Sequence, residues 1–271
     1  MSTWNSISIL GAGNLGSAIA DGITASGLFK PGSVTLTRRN SEKLSAYSDR
    51  GFRVTSNNSE AVKQSGIILI AVEPHSLDGL LDEIGKELDP EKHLVISVIA
   101  GVETSYIRKK IGSAVPLVRA APNTAVETGD SMTVLCSPNP DQNILGTAQK
   151  IFNSVGETRI INEKLMPAAT ALCASGIAFF LRAIRAAAQA GVETGFSSSD
   201  ATFMAAQTAK GAAELLLTKQ GDPEQEIDRV TTPGGCTISG LNRMEKKGFS
   251  AAFIEGILHA AQKAGKLHED S

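Results

Sequence analysis

Apolar residues in the first half of the chain gather in short unbroken runs: I-S-I-L at Ile7–Leu10, V-T-L-T at Val34–Thr37, I-I-L-I-A-V at 67–72 and L-V-I-S-V-I at 94–99. Such runs show little in-and-out alternation, the mark of strands covered on both faces. The intervals between them hold a helix and its connections. The pattern therefore predicts a mostly parallel sheet with helices on either side, a doubly wound α/β layout of Rossmann type. From about Glu163 the strand signal stops. The stretch A-A-T-A-L-C-A-S-G-I-A-F-F-L-R-A-I-R-A-A-A-Q-A-G-V is apolar almost all round, which predicts a helix buried on most sides, with a second subunit as one source of cover. Further helices are expected over 198–217, after serines suited to N-capping, and over 250–267. This change of period sets two expected domains: 1–162, α/β, and 163–271, all-α.

Composition narrows the class. A net charge of −2 over 271 residues, with 42% hydrophobic and 20% charged residues, argues against a broad basic footprint for nucleic acid or an anionic membrane. A small-molecule partner is expected. Cys136, Cys173 and Cys236 show no C-x-x-C spacing, and His75, His93, His259 and His268 form no H-E-x-x-H arrangement, so neither a disulfide framework nor a metal site is signalled. With a first strand expected from about Ser6, no leader is predicted, and runs such as 66–72 are too short to span a bilayer. A soluble, cytoplasmic protein with no membrane partner is the expectation.

Chemistry begins at I-S-I-L-G-A-G-N-L-G-S-A-I-A, which places Gly11, Gly13 and Gly16 directly after a strand and at the opening of a helix. In a dinucleotide loop the first glycine permits the tight turn, the second lets the backbone approach a pyrophosphate, and the third permits close helix packing. The alternative is an accidental glycine-rich turn. After the next strand comes T-R-R-N, where an NAD site commonly carries an acid; Arg38 and Arg39 stand there instead. Two guanidinium groups suit an adenosine 2′-phosphate, so NADPH is favoured, with NADH as the second cofactor. The competing reading is two solvated loop arginines.

A second candidate lies far from the first. V-T-T-P-G-G-C-T-I-S-G at 230–240 resembles a turn entering a helix, whose unpaired N–H groups can bind a carboxylate. Thr231, Thr232 and Thr237 add hydroxyls. A Gly-Gly turn between helices with threonine caps explains the same residues.

These motifs together resemble the pyrroline-5-carboxylate reductase family. The resemblance runs nearly end to end, through G-A-G-N-L-G, A-V-E-P-H, A-P-N-T, A-L-x-x-S-G-x-A, A-A-Q-T-x-x-G-A-A and V-T-T-P-G-G-C-T-I-x-G-L. It implies an N-terminal NADP-binding Rossmann domain, a helical C-terminal dimerisation and substrate-binding domain, active sites near a subunit interface, and homodimers that can build a decamer. It implies Gly11, Ala12, Asn14 and Leu15 at the pyrophosphate, with Gly13 and Gly16 completing the loop. Arg38 and Asn58 would lie near the adenosine ribose or its phosphate, and Ala71, Pro74 and Asn123 near the ribose and nicotinamide. Ser175 and Gly176 would approach the substrate. Thr232, Gly234, Gly235 and Thr237 would hold its carboxylate and ring nitrogen, the Thr237 hydroxyl being the candidate proton donor or relay. Glu73, Ala125, Ile177 and Phe179 depart from the usual pattern; a carboxylate at Glu73 would repel phosphate unless it faces solvent.

The implied reaction is reduction of the cyclic imine to L-proline. Imine reduction needs hydride at a ring carbon and a proton on nitrogen, and a protonated iminium is already electrophilic. A stretch of hydroxyls and backbone N–H groups without His, Lys or carboxylate suits that demand; a threonine hydroxyl, a poor acid, orients or relays rather than drives protonation. Related imine or β-hydroxyacid oxidoreductases share the layout, but the latter commonly use a lysine on the interdomain helix. Lys164 and Lys210 read instead as solvated side chains, and Cys236 as a small packed residue without a histidine to activate it. A non-catalytic NADP-binding regulator is the remaining alternative, although it would be expected to lose one of the two glycine motifs.

Overall fold

The computed structural model describes residues 4–219 and 221–266. Strands β1 (Ile7–Leu10), β2 (Val34–Thr37), β3 (Arg53–Thr55), β4 (Ile67–Ile70), β5 (Leu94–Ser97), β6 (Leu117–Ala121), β7 (Ser131–Cys136) and β8 (Gly156–Ile160) form one sheet. Their order is β3-β2-β1-β4-β5-β6-β7-β8, and neighbours are parallel except for the β6–β7 pair. Between the strands run α1 (Asn14–Ala25), α2 (Ser45–Asp49), α3 (Asn58–Lys63), α4 (Leu77–Ile84), α5 (Thr104–Ile111) and α6 (Gln142–Asn153). The doubly wound expectation holds.

Alternate residues of each central strand point to opposite faces, and each face has its own core. Ile7, Ile9, Leu36, Ile67, Leu69 and Ile96 pack with Ile19 and Ile23 of α1 and with Ile151 and Phe152 of α6. Leu10, Ile68, Ile70 and Val95 pack with Leu77, Leu81 and Ile84 of α4 and with Ile107 of α5. Burial on both sides is why these strands read as unbroken apolar runs. In the 67–72 and 94–99 runs the last two residues lie beyond the strand ends at Ile70 and Ser97.

Four strands lacked an apolar run. β3 and β8 are partly exposed at the sheet edges. β7 carries polar Ser131 and Thr133, buried and linked through their hydroxyls at 3.3 Å. β6 is interrupted by Arg119, which is buried against Glu163 with Nη1 to Oε1 at 3.3 Å. Glu163 also accepts from the Thr104 backbone N–H at 2.8 Å and the Thr104 hydroxyl at 2.6 Å, joining the start of α5 to the segment that follows β8. A buried charge is tolerated only with such partners.

No strand follows β8 among the described residues. Helix α7 (Met166–Ala169) passes through a π-helical turn, Thr170–Ser175, into α8 (Gly176–Glu193). After it come α9 (Ser198–Lys219), α10 (Pro223–Val230), α11 (Cys236–Lys246) and α12 (Phe249–Lys266). The expected helices at 198–217 and 250–267 correspond to α9 and α12; Leu267 and His268 lie outside the described residues. The chain divides into two compact units, one made of residues up to Ser175 and from Ala260 on, the other of Gly176–His259.

The apolar helix is only partly covered by the chain itself. Leu172, Phe180, Leu181 and Val192 are each about half exposed, at 54%, 57%, 57% and 46%, because the chain's own helices leave much of its surface uncovered. Glu163–Glu193, 31 residues, is also long and apolar enough to cross a membrane by length and composition; the expectation of spans too short for a bilayer rested on the shorter runs and missed this one.

Candidate active site

The sheet order reverses between β1 and β4, so their carboxyl ends open a crevice at a topological switch point, the place where doubly wound folds bind ligands. Gly11 follows β1 with φ of +92°, and a Cβ there would lie 2.7 Å from Val72 Cγ1 and 2.8 Å from the Ala71 carbonyl oxygen. Only glycine fits. A Cβ on Gly16 would lie 2.9 Å from the Gly11 carbonyl oxygen, so its absence lets α1 sit close to β1. At Gly13 a Cβ would meet nothing within 4 Å. Its openness leaves room for a ligand against the backbone, and Gly13 caps α1 with no side-chain hydrogen bond. The N–H groups of the first turn are therefore available to an anion.

A cavity of about 650 Å³ opens beside this loop. Gly11, Gly13, Arg38, Arg39, Asn58 and Ala71 line it, together with Thr37, Lys43, Glu73, Ser76 and Glu83. Ala12 and Gly16 are buried beneath it, while Asn14 and Leu15 open α1. Pro74 begins a 3₁₀ turn, Pro74–Ser76, whose last two residues reach the cavity wall. Arg38 Nη1 reaches back to the Ala12 carbonyl oxygen at 3.5 Å, and Arg39 Nη2 donates to Ser76 Oγ at 2.8 Å. Room at Gly13, free helix N–H groups and three cationic side chains fit the phosphates of a dinucleotide. Glu73 is exposed, 3.5 Å from His75 Nε2.

Sequence spacing missed the network beneath the arginines. Thr37 Oγ1 donates to Asn58 Oδ1 at 2.6 Å, and Asn58 Nδ2 donates to Glu83 Oε2 at 2.9 Å. Glu83 comes from α4, far along the chain from T-R-R-N, and no local signal in the sequence tied the two together.

Asn123 does not line this cavity. Its Oδ1 accepts from the Ala125 N–H at 3.0 Å and its Nδ2 donates to the Cys173 carbonyl oxygen at 3.1 Å. Both ends of the amide are thus engaged by the protein. Ser175 closes the π-helical turn half-buried, and Gly176 opens α8 buried. Burial pushes the Cys136 thiol up to about 12, reinforced by the Glu163 carboxylate, and burial likewise raises Cys173. Neither thiol is poised as a nucleophile.

In the second unit, α10 ends at Val230 and the Thr231 hydroxyl donates to the Ile227 carbonyl oxygen at 2.8 Å. The Gly235 N–H closes the turn onto the Thr232 carbonyl oxygen at 2.9 Å, with Gly234 at φ of +70°. A Cβ on Gly235 would stand 2.5 Å from Thr232 Oγ1. Helix α11 then starts with Gly235 as its N-cap and no side-chain hydrogen bond, leaving its first N–H groups open. Thr232 and Gly234 are exposed and Thr237 is half-buried in the first turn. Cys236, the first residue of α11, is exposed rather than packed. Lys164 and Lys210 are exposed. Phe179, where the family pattern has tyrosine, packs edge-on to Phe253 with centroids 6.4 Å apart. No cluster of metal-ligating side chains occurs among the described residues.

Comparison with known proteins adds to this geometry. Residues 163–267 match the family model for pyrroline-5-carboxylate reductase dimerisation, and residues 6–101 match that for NADP oxidoreductase, coenzyme F420-dependent. The chain is 48% identical over 276 residues to pyrroline-5-carboxylate reductase 1 of Dictyostelium discoideum, covering 97% of this chain and 50% of that protein. It therefore spans about half the length of this relative. It is also 48% identical to pyrroline-5-carboxylate reductase 2 of the same organism, covering 96% of this chain and 92% of the relative. A crystal structure of Plasmodium falciparum pyrroline carboxylate reductase with NADP bound superposes with a TM-score of 0.85 at 28% identity, covering 96% of this chain and 97% of that one.

Proposed function

The chain belongs to the pyrroline-5-carboxylate reductase family, and we infer that it reduces the cyclic imine 1-pyrroline-5-carboxylate to L-proline with NADPH or NADH, the last step of proline biosynthesis. When bound, the nicotinamide supplies a hydride to the imine carbon. The chain's own residues bind and orient. Gly11 to Gly16 cradle the pyrophosphate on backbone N–H groups, with Ala12, Asn14 and Leu15 in the same turn. Arg38, Arg39 and Asn58 grip the adenosine end, and Ala71 and Pro74 flank the ribose.

For the substrate, the observation that carries the reading is the uncapped start of α11 behind a Gly-Gly turn. Its N–H groups and the hydroxyls of Thr232 and Thr237 suit a carboxylate and a ring nitrogen, and no His, Lys or carboxylate stands in 231–237. Ser175 and Gly176 are assigned to the same substrate. Thr237 holds or relays the proton to nitrogen, while positioning of two reactants supplies much of the rate. Asn123 is assigned with Ala71 and Pro74 to the ribose and nicotinamide.

The same reading assigns 1–162 to the NADP-binding domain and 163–271 to dimerisation and substrate binding. The half-exposed apolar side chains of α8, with Phe203 of α9 at 70% exposure, are matched to a second copy of the chain rather than to a bilayer. The family model for dimerisation over 163–267 supports that choice. A decamer of such dimers, a cytoplasmic setting and no nucleic-acid partner complete the proposal. Identification of L-proline after incubation with NADPH and pyrroline-5-carboxylate tests it; oxidation of NADPH without proline formation sinks the substrate assignment.

A further inference from the structure

T-R-R-N carries no acid, yet the cavity it borders has two, Glu73 and Glu83. Glu83 of α4 lines the same wall space as Arg38, Arg39 and Lys43. It is held there: Oε2 accepts from Asn58 Nδ2 at 2.9 Å, and Asn58 is fixed in turn by the Thr37 hydroxyl at 2.6 Å. Its backbone carbonyl accepts from Ser59 Oγ at 3.2 Å, a second tie between α4 and α3. Glu73, the other carboxylate of the cavity, has no such anchor; its side chain is 81% exposed beside His75.

We propose that Glu83 is a specificity-determining residue that keeps this enzyme open to both NADPH and NADH. The proposal rests on the assignment of the cavity to the adenosine end of the cofactor. Arg38 and Arg39 favour a 2′-phosphate through charge-assisted bonds. A carboxylate in the same cleft opposes that dianion, and it offers an acceptor to the neutral hydroxyl that NADH has in its place. An exposed carboxylate acts through water, so its influence is moderate and sensitive to salt. For charges sharing a solvated cleft of this size, the opposition amounts to about a threefold to tenfold change in Kd. The network through Asn58 and Thr37 keeps the charge in place while the arginines bind.

Calorimetric binding of NADPH, NADH, 2′,5′-ADP and 5′-AMP to the full chain, without substrate, tests this. Glu83→Gln keeps an oxygen to accept from Asn58 and removes the charge. It is expected to tighten NADPH and 2′,5′-ADP about threefold to tenfold at low salt, to leave NADH and 5′-AMP unchanged or weaker, and to lose this effect in high salt. Glu83→Asp, which retains the charge, keeps the wild-type ratio, and Glu73→Gln shifts it less. Equal changes for phosphorylated and unphosphorylated ligands, or none, overturn the role of Glu83 while leaving the cofactor site standing. Failure of the wild-type chain to bind any of the four removes the cofactor assignment itself.

Discussion

The side-chain amide of Asn123 donates to the carbonyl oxygen of Cys173 at 3.1 Å, tying the turn after β6 to the π-helical turn that ends at Ser175. A π turn loosens the regular i→i−4 ladder and leaves carbonyls in need of donors, which is one reason such turns persist at functional sites. Asn123 meets that need while its Oδ1 caps its own 3₁₀ turn. Asn123→Ala removes both bonds and is expected to cost about 1–3 kcal/mol. Asn123→Asp keeps the cap but loses the donor, so thermal denaturation should place it between wild type and Asn123→Ala. Equal melting temperatures for all three would show that the tie contributes nothing.

The two arginines of T-R-R-N stand at the cavity wall, one reaching Ala12 and the other Ser76. Replacing both by alanine should raise KM for NADPH by about tenfold or more, from lost charged hydrogen bonds, and change KM for NADH far less. Steady-state kinetics with each cofactor decides it; parallel changes would remove the 2′-phosphate assignment.

The glycines of the loop separate folding from binding. Gly11→Ala forces a Cβ against the Ala71 backbone at positive φ, so both melting temperature and NADPH affinity should fall. Gly13→Ala meets open space, so it should keep the melting temperature near wild type and weaken NADPH alone. Loss of stability at Gly13 matching that at Gly11 would contradict the geometry.

Stability should also fall on acidification through His93. Burial lowers its pKa below the ordinary 6.5, and its Nδ1 accepts from the Asp89 N–H at 2.8 Å, a bond the neutral ring alone can make. The unfolded chain therefore takes up a proton first. Stability is fully present above about 6.5 and declines as pH falls toward the lowered folded pKa, by up to about 1.4 kcal/mol per pH unit for one proton. Chemical denaturation from neutral to mildly acidic pH should show this slope, and His93→Gln should flatten it.

What could be read from the sequence divides along physical lines. Ile7–Leu10 and Val34–Thr37 were legible to the residue because both faces of those strands are buried. β6 and β7 were not, because Arg119, Ser131 and Thr133 are buried through polar partners that only the folded chain supplies. The tight turn at Gly11 and the close helix packing at Gly16 were legible from their spacing within one turn. Glu83 was not, since its place beside Asn58 depends on how α4 packs against α3. The long apolar helix was legible, but how its cover divides between a partner subunit and the chain's own core was not, for no periodicity distinguishes the two.

Imine reduction at the start of α11 is tested by NADPH oxidation with racemic pyrroline-5-carboxylate, followed at the nicotinamide band for the wild-type chain and Thr237→Ala. Wild type should show rapid loss of absorbance with L-proline as product, and Thr237→Ala a lower kcat or higher substrate KM with NADPH affinity retained. Wild-type protein that binds NADPH yet leaves the absorbance unchanged, or a Thr237→Ala variant with undiminished turnover, would contradict it.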